Sequence, residues 1–215
     1  MIRVITIERE YGAGGGAIAK KIADRLGWKL WDQLFTCEIA RIANCERSEV
    51  ESREERIDSL YYRLIKSIMR GSFEGNTNLR GLNCLDADSI MRITKQVTLQ
   101  AAADGNCVLV GRGSQHHLRD RDDTLRIFLF APREAKMERL IREGMTTQEA
   151  EESVDTVDEE RAAFIAKYFQ MEWPNRALYH ALLNTASGEE LIIQTIMGLK
   201  DAIDQQQFTR VRIAR

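Results

Sequence analysis

The sequence predicts an α/β fold, a doubly wound parallel sheet, and three observations predict it. The apolar runs at Ile2 to Ile7, Cys107 to Val110 and Leu125 to Phe130 are continuous rather than alternating, as strands covered on both faces require. Helical patterns separate and follow these runs, and strands alternating with helices join through right-handed crossovers into a parallel sheet. The first run passes into the first helix through a turn with four glycines in five positions, Gly12 to Gly16. Ligands in such sheets bind beyond the carboxyl ends of the strands.

Each element has its own justification. Ile2 to Ile7 is β-branched and ends in the charged triplet Glu8, Arg9, Glu10, which reads as a strand leaving the core for a functional loop. Ile18, Ile22 and Leu26, with Ala19 and Ala23 beside them, mark one helix face, and Gly27 stops that helix. Trp28 and Trp31 start a short strand and fill core. From Cys37 to about Ala103 no strand is expected; residues 37–103 read as a helical insertion, with helices over Glu46 to Arg56, Ile57 to Ile68 and Ser89 to Ala103. Gly71 to Gly81 reads as a mobile loop within it. Helices from Arg133 to Glu143 and Thr147 to Phe169 follow the third long strand, then a strand near Leu178 to Leu183, a closing helix from Glu189 to Ile203, and a frayed polar tail over 205–215.

Composition bounds the function classes. The 215 residues suit one domain, 1–204, with an insertion. Lys plus Arg is 31 against 33 for Asp plus Glu, a formal net charge of -2 that excludes a global pull toward nucleic acid or anionic membrane. No apolar run approaches the roughly 20 residues of a spanning helix, so a cytoplasmic protein is expected. The four cysteines, Cys37, Cys45, Cys84 and Cys107, form no C-x-x-C pair and read as free thiols. No metal-ligand spacing stands out. Any polyanion site is local.

The glycine turn is the candidate for that site. A phosphate needs converging N–H donors and positive potential, which a helix N-terminus supplies once glycines let the backbone curl around the anion. Gly12, Ala13, Gly14, Gly15, Gly16 and Ala17 have that context, and a merely flexible turn would need fewer glycines. The full phosphate-loop pattern ends in Gly-Lys-Ser/Thr, the lysine reaching the β and γ phosphates and the hydroxyl holding magnesium. Aligned by the helix, Gly15 stands at the lysine position and Gly16 at the hydroxyl position. Lys20 and Lys21 point to solvent. Arginines from elsewhere must therefore meet the phosphate charge. Arg112, beside two glycines at the end of a buried strand, needs an anionic partner, a carboxylate or a ligand.

Taken together, Ile5 to Gly15, Ala19 to Gly27, Trp31-Asp32, Val110-Gly111-Arg112-Gly113, Ile127 to Pro132, Asp158 to Ala163, Tyr168-Phe169 and Leu183-Asn184-Thr185 resemble the cytidylate kinase-like family of P-loop proteins. The resemblance runs from Met1 to about Ile203. It implies a P-loop kinase-like fold with a five-stranded parallel core, a helical substrate-binding insertion and an arginine-bearing helical lid over 133–170. It also implies ATP phosphates on Gly12 to Ala17, the adenine near Asn184 and Thr185, and the acceptor's phosphate on Arg112, with Asp32 positioning the acceptor. Arg139, Arg142 and Arg161 would approach the transferring phosphoryl group as the lid closes.

The family often shows Gly-Ser-Gly-Gly-Arg or Gly-Ser-Gly-Gly-His in place of the lysine motif; the chain departs from it at Gly16, where that basic residue would stand, and at Gly113, where cytidylate kinases carry an acidic residue. Magnesium is implied with ATP, its ligands not identifiable, Glu8, Glu10 and Asp32 being the nearby carboxylates. Apart from the resemblance, Arg139, Arg142 and Arg161 read as solvated helix residues, and His116 and His117 as a surface pair. The expected activity is ATP-dependent phosphorylation of a pyrimidine nucleoside monophosphate, CMP or dCMP first. The alternatives are a nucleotide-binding sensor without turnover, or a site for another anion such as a sugar phosphate. The apolar face of Ile57 to Ile68 meets either its own core or a second copy, so a homodimer is open.

Overall fold

The computed structural model describes residues 1–35, 37–39, 41–42 and 87–213. The expected helices over Glu46 to Arg56 and Ile57 to Ile68, the Gly71 to Gly81 loop, Cys45 and Cys84 lie outside the described residues.

Val4–Arg9 is the central strand, β1, buried along its whole length. It passes through the glycine turn into α1, Gly15–Leu26, which Gly27 ends in the left-handed conformation, its N–H bonding back to Asp24 O and Ala23 O. Next come β2 (Lys29–Trp31), α2 (Ala87–Asp104), β3 (Cys107–Val110) and the short α3 (Ser114–His117). They are followed by β4 (Thr124–Phe130), α4 (Arg133–Arg142), α5 (Thr147–Phe169), β5 (Ala181–Asn184) and α6 (Glu189–Ile213). All pairings are parallel, in the order β2-β3-β1-β4-β5. In register, Ile7 faces Val110 on β3 and Ile127 on β4.

Because side chains alternate along a strand, β1 feeds two cores. Val4, Cys107 and Leu109 pack under Ile90, Ile93 and Val97 of α2 on one face. Ile5, Ile7, Val108 and Val110 pack under Ile18 and Ile22 of α1 and Ile192, Ile193 and Ile196 of α6 on the other. Helices on both faces make the sheet doubly wound, as its continuous apolar strands require. Cys107 lies in the first core, where its thiol donates to Ala101 O at 3.3 Å and burial pushes its pKa up to about 12.

Two elements differ from expectation. The last strand starts at Ala181, because residues Arg176–Leu178 form a 3-10 turn capped by Asn175 and only His180 and beyond reach the β4 backbone. The tail expected to fray from Gln205 continues α6 to Ile213. No glycine or proline follows Gly198 to stop it, and the Lys200–Asp204 pair at 3.0 Å bridges one of its late turns.

Strand order positions the site. The connection leaving β1 runs toward β2, beyond β3, whereas the one leaving β3 passes back over β1 to β4. Adjacent strands whose connections depart in opposite directions open a crevice at their carboxyl ends, the switch point where such sheets bind ligands. The glycine turn follows one of these strands and Gly111-Arg112-Gly113 the other.

Candidate active site

The glycine turn curls as a phosphate cradle requires. Gly12 and Gly14 are left-handed, with φ of 73° and 72°. The Ile18 amide bonds Gly14 O, while the amides of Gly15, Gly16 and Ala17, ahead of it in the first turn of α1, make no hydrogen bond among the described residues. The turn is covered by side chains of opposite sign to a phosphate. Arg139 of α4 donates to Gly12 O at 2.6 Å, and its guanidinium lies 2.9 Å from where a Cβ on Gly14 would stand. A flexible cation in that place is displaceable by an anion and able to bind it.

Across the crevice three arginines converge. Arg9, Arg112 and Arg161 are 5%, 3% and 5% exposed and line, with Glu8, Gly113, Phe164 and Trp173, a cavity of 10 Å³. Such a space admits about one water, and α5, which carries Arg161 and Phe164, forms one of its walls. Arg112 holds a left-handed backbone, φ 58°, that turns its side chain inward to donate to the Asp32 carbonyl at 3.2 Å, with its guanidinium 5.6 Å from the Phe35 ring. Burial, countered by Asp32 and reinforced by Arg9, pulls Arg112 down to about 10. Arg161 is likewise pulled to about 10 by burial and by Arg9. Charges desolvated this far are costly to bury, and Arg161 is answered by Asp158 at 3.1 Å.

Helices α4 and α5 are tied to the turn by a second charge network. Lys136 of α4 donates to Glu10 at 2.9 Å and to Asp158 of α5 at 3.4 Å. Asp158 also accepts from the Tyr11 amide at 2.8 Å and from Arg161 at 3.1 Å, and Arg161 donates to the Arg9 carbonyl at 2.9 Å. Burial pushes the Asp158 carboxyl above its ordinary value, opposed by Arg161, the Tyr11 amide and Lys136. Two helices are thereby pinned on the glycine turn by four charged groups, Glu10, Lys136, Asp158 and Arg161.

Of the residues singled out from sequence, Arg112, Asp32, Arg139 and Arg161 lie around the crevice. Arg142 is exposed near the end of α4 and makes no hydrogen bond or ion pair among the described residues. Asn184 caps the 3-10 turn after β5 by accepting from Ala186 N at 3.0 Å, and Thr185 is buried with its hydroxyl unpartnered. Asp32 is buried with Oδ1 unpartnered. Glu8 takes a hydrogen bond from Gln115 at 2.7 Å and Glu10 is held by Lys136, so Asp32 is the uncommitted carboxylate of the three. Among the described residues no three acidic, histidine or cysteine side chains form a metal cluster. Lys20 and Lys21 are exposed, paired with Asp24 and Glu189.

Two sequence readings are corrected. His116 and His117 are no surface pair: Phe169, at the end of α5, stacks on His116 at 4.4 Å and meets His117 edge-on at 5.0 Å. Burial pushes both imidazoles down to about 4. Arg161 is not a solvated helix residue but one of the most enclosed cations described. The residues that sequence reasoning did not single out are Arg9 and Lys136. Arg9 belongs to the charged triplet taken as loop, and its signal is position: counting six back from Gly15, the lysine place, reaches the first glycine of the phosphate-loop pattern, which here is Arg9.

A family model described as the cytidylate kinase-like family matches residues 4–187. The chain belongs to that family. A cytidylate kinase-like chain with this sheet order has the five-stranded parallel core the resemblance implied. No curated protein matches it. Among solved structures it is similar to an uncharacterized protein from Eubacterium ventriosum ATCC 27560, with 19% identity, a TM-score of 0.58, and 91% of this chain and 98% of that one covered. It is also similar, at a TM-score of 0.49, to a shikimate kinase from Acinetobacter baumannii in complex with shikimate, with 15% identity and 93% of each chain covered. A shikimate kinase from Bacteroides thetaiotaomicron gives 14% identity, a TM-score of 0.49 and coverage of 92% and 98%. The first likeness supports the fold alone. No described helix of this cytidylate kinase-like chain is long and apolar enough to cross a membrane.

Proposed function

We propose that this chain transfers the γ-phosphoryl group of ATP to a nucleoside monophosphate, with CMP and dCMP the first acceptors to test. The observation that carries the reading is the meeting, at one switch point, of unbonded helix-start amides on the donor side and buried Arg112 on the acceptor side, under a lid that bears Arg139 and Arg161. An acceptor phosphate oxygen forms a bond to the γ phosphorus as the bond from that phosphorus to the β–γ bridging oxygen breaks. The electron pair of the broken bond stays on ADP, and no proton need move between two phosphates. The chain's work is to orient both phosphates, exclude water and neutralise charge.

The Gly15 to Ala17 amides would hold the donor phosphates and Arg112 the acceptor phosphate, with Asp32 Oδ1 accepting from the acceptor. Arg139 and Arg161 would close on the phosphoryl group, and Arg142 would join them only by moving with the lid. Asn184 and Thr185 would border the adenine. Magnesium, which shields phosphate charge, would find Asp32 as the uncommitted carboxylate among Glu8, Glu10 and Asp32, with phosphate oxygens and water completing its shell.

The rival reading is a nucleotide sensor without turnover, favoured by the missing lysine and hydroxyl at Gly15 and Gly16. A coupled assay of ADP formation over a panel of monophosphates, alongside calorimetric ATP binding, separates the two. Turnover that falls roughly 100-fold or more in Arg112→Ala, the size of loss seen on removing one electrostatic catalytic group, supports the kinase. Tight ATP binding with no acceptor turned over replaces it by the sensor.

A further inference from the structure

We infer that Arg9 supplies, from the end of β1, the phosphate-binding cation that the chain lacks at the start of α1. The inference rests on the proposed phosphate site and adds a residue to it. Arg9 is enclosed to within 5% of full burial, yet its guanidinium makes no hydrogen bond among the described residues. Its one ion pair among them is with Glu8, at 3.6 Å, and Glu8 already accepts from Gln115 at 2.7 Å. A buried guanidinium with five donors is poorly satisfied by one loose contact, and these donors border the crevice cavity.

The path of the side chain explains two glycines. A Cβ on Gly15 would stand 2.8 Å from Arg9 Cγ and 2.9 Å from Arg9 Cβ, so the arginine stem occupies the space that a lysine at that position would need. Further along, Arg9 Nη1 lies against Gly111, where any side chain would run into it. The arginine therefore runs from the first-glycine position of the pattern, across the lysine position, to the acceptor-side turn next to Arg112. Loss of the lysine at 15 and gain of the arginine at 9 are one steric exchange. The guanidinium ends between the donor and acceptor turns, where it can touch a phosphoryl group held there. Neutralising Glu8 would not require this length or these two glycines.

The test is an exchange of the two positions, with calorimetric binding of inorganic pyrophosphate and of magnesium ATP as readout and thermal melting as the check of folding. Arg9→Met is expected to weaken both ligands at least tenfold, and Gly15→Lys alone to bind no better than the unmodified chain and to melt lower. Arg9→Gly combined with Gly15→Lys, which restores the usual arrangement, is expected to return affinity to within about threefold. Affinity unchanged within twofold in Arg9→Met overturns the inference, as does a folded double variant that binds no better than Arg9→Gly. Should Arg9→Met not fold, the comparison of the double variant with Arg9→Gly decides. An unmodified chain that binds these ligands but phosphorylates no monophosphate removes the kinase reading and leaves Arg9 to this test; one that binds neither removes both.

Discussion

At Gly113 there is no room for a side chain, since a Cβ would stand 2.6 Å from the Phe169 ring and φ is 68°. The departure from the acidic residue of similar kinases thus has a local cause: the end of α5 inserts an aromatic ring where that residue would project. Gly113→Asp is expected to cost about 2–4 kcal/mol, from left-handed strain plus overpacking, read as a lower urea midpoint at unchanged slope. Adding Phe169→Ala should restore part of the loss, because the two side chains compete for one space. Arg112 shows the same economy of position. Its guanidinium is aimed by a left-handed backbone between two glycines, Gly111 and Gly113, a pattern legible in the sequence as Gly-Arg-Gly. Arg161 carries no such marker, and only the family resemblance distinguishes it from neighbouring helix charges.

At the scale of elements, the pair α4 and α5, proposed above as a lid, is tied to the glycine turn by ion pairs. Its own apolar cluster, Leu140, Ala150, Val154 and Val157, takes in only Tyr11 from the glycine turn. Lys136 is the keystone, a buried cation between Glu10 and Asp158. Lys136→Met would leave Glu10 without its cation and Asp158 with Arg161 alone, and breaking a buried pair from one side costs about 3–5 kcal/mol. The expected result is selective: amide exchange in α4 and α5 accelerates while β1, β3 and β4 keep their protection, since the sheet does not depend on this network. Equal acceleration everywhere would show that the lid and sheet open as one unit. The helices themselves are written locally, α5 by the Thr146 and Glu149 capping box.

For the whole molecule, the docking of α5 against α3 makes stability depend on pH. His116 and His117 are pushed to about 4 by burial, whereas an unfolded chain protonates histidine at about 6.5. The stability they contribute is complete above about pH 6.5 and is lost as pH falls from there toward 4, by at most about 3 kcal/mol per histidine. Asp158, whose carboxyl burial pushes up, works against this trend at the acid end. Melting temperature should fall across that window, and by less in His116→Phe; a flat profile would contradict the enclosure by Phe169.

The order of strands and helices, the glycine turn, Arg112 and the ends of α1 and α5 were all determined by the sequence alone, because each rests on local periodicity, capping or a short motif. The end of α6 was a matter of reading a polar stretch as frayed when nothing in it stops a helix. What only the tertiary structure decided is which charges are inside. Glu8, Arg9, Lys136, Asp158 and Arg161 look like solvated charges in sequence, and His116 like surface, because burial and pairing are made by residues more than a hundred positions apart, as with Lys136 and Glu10. Local patterns carry no record of such partners, and only the folded chain sets the desolvation that makes these side chains a candidate site.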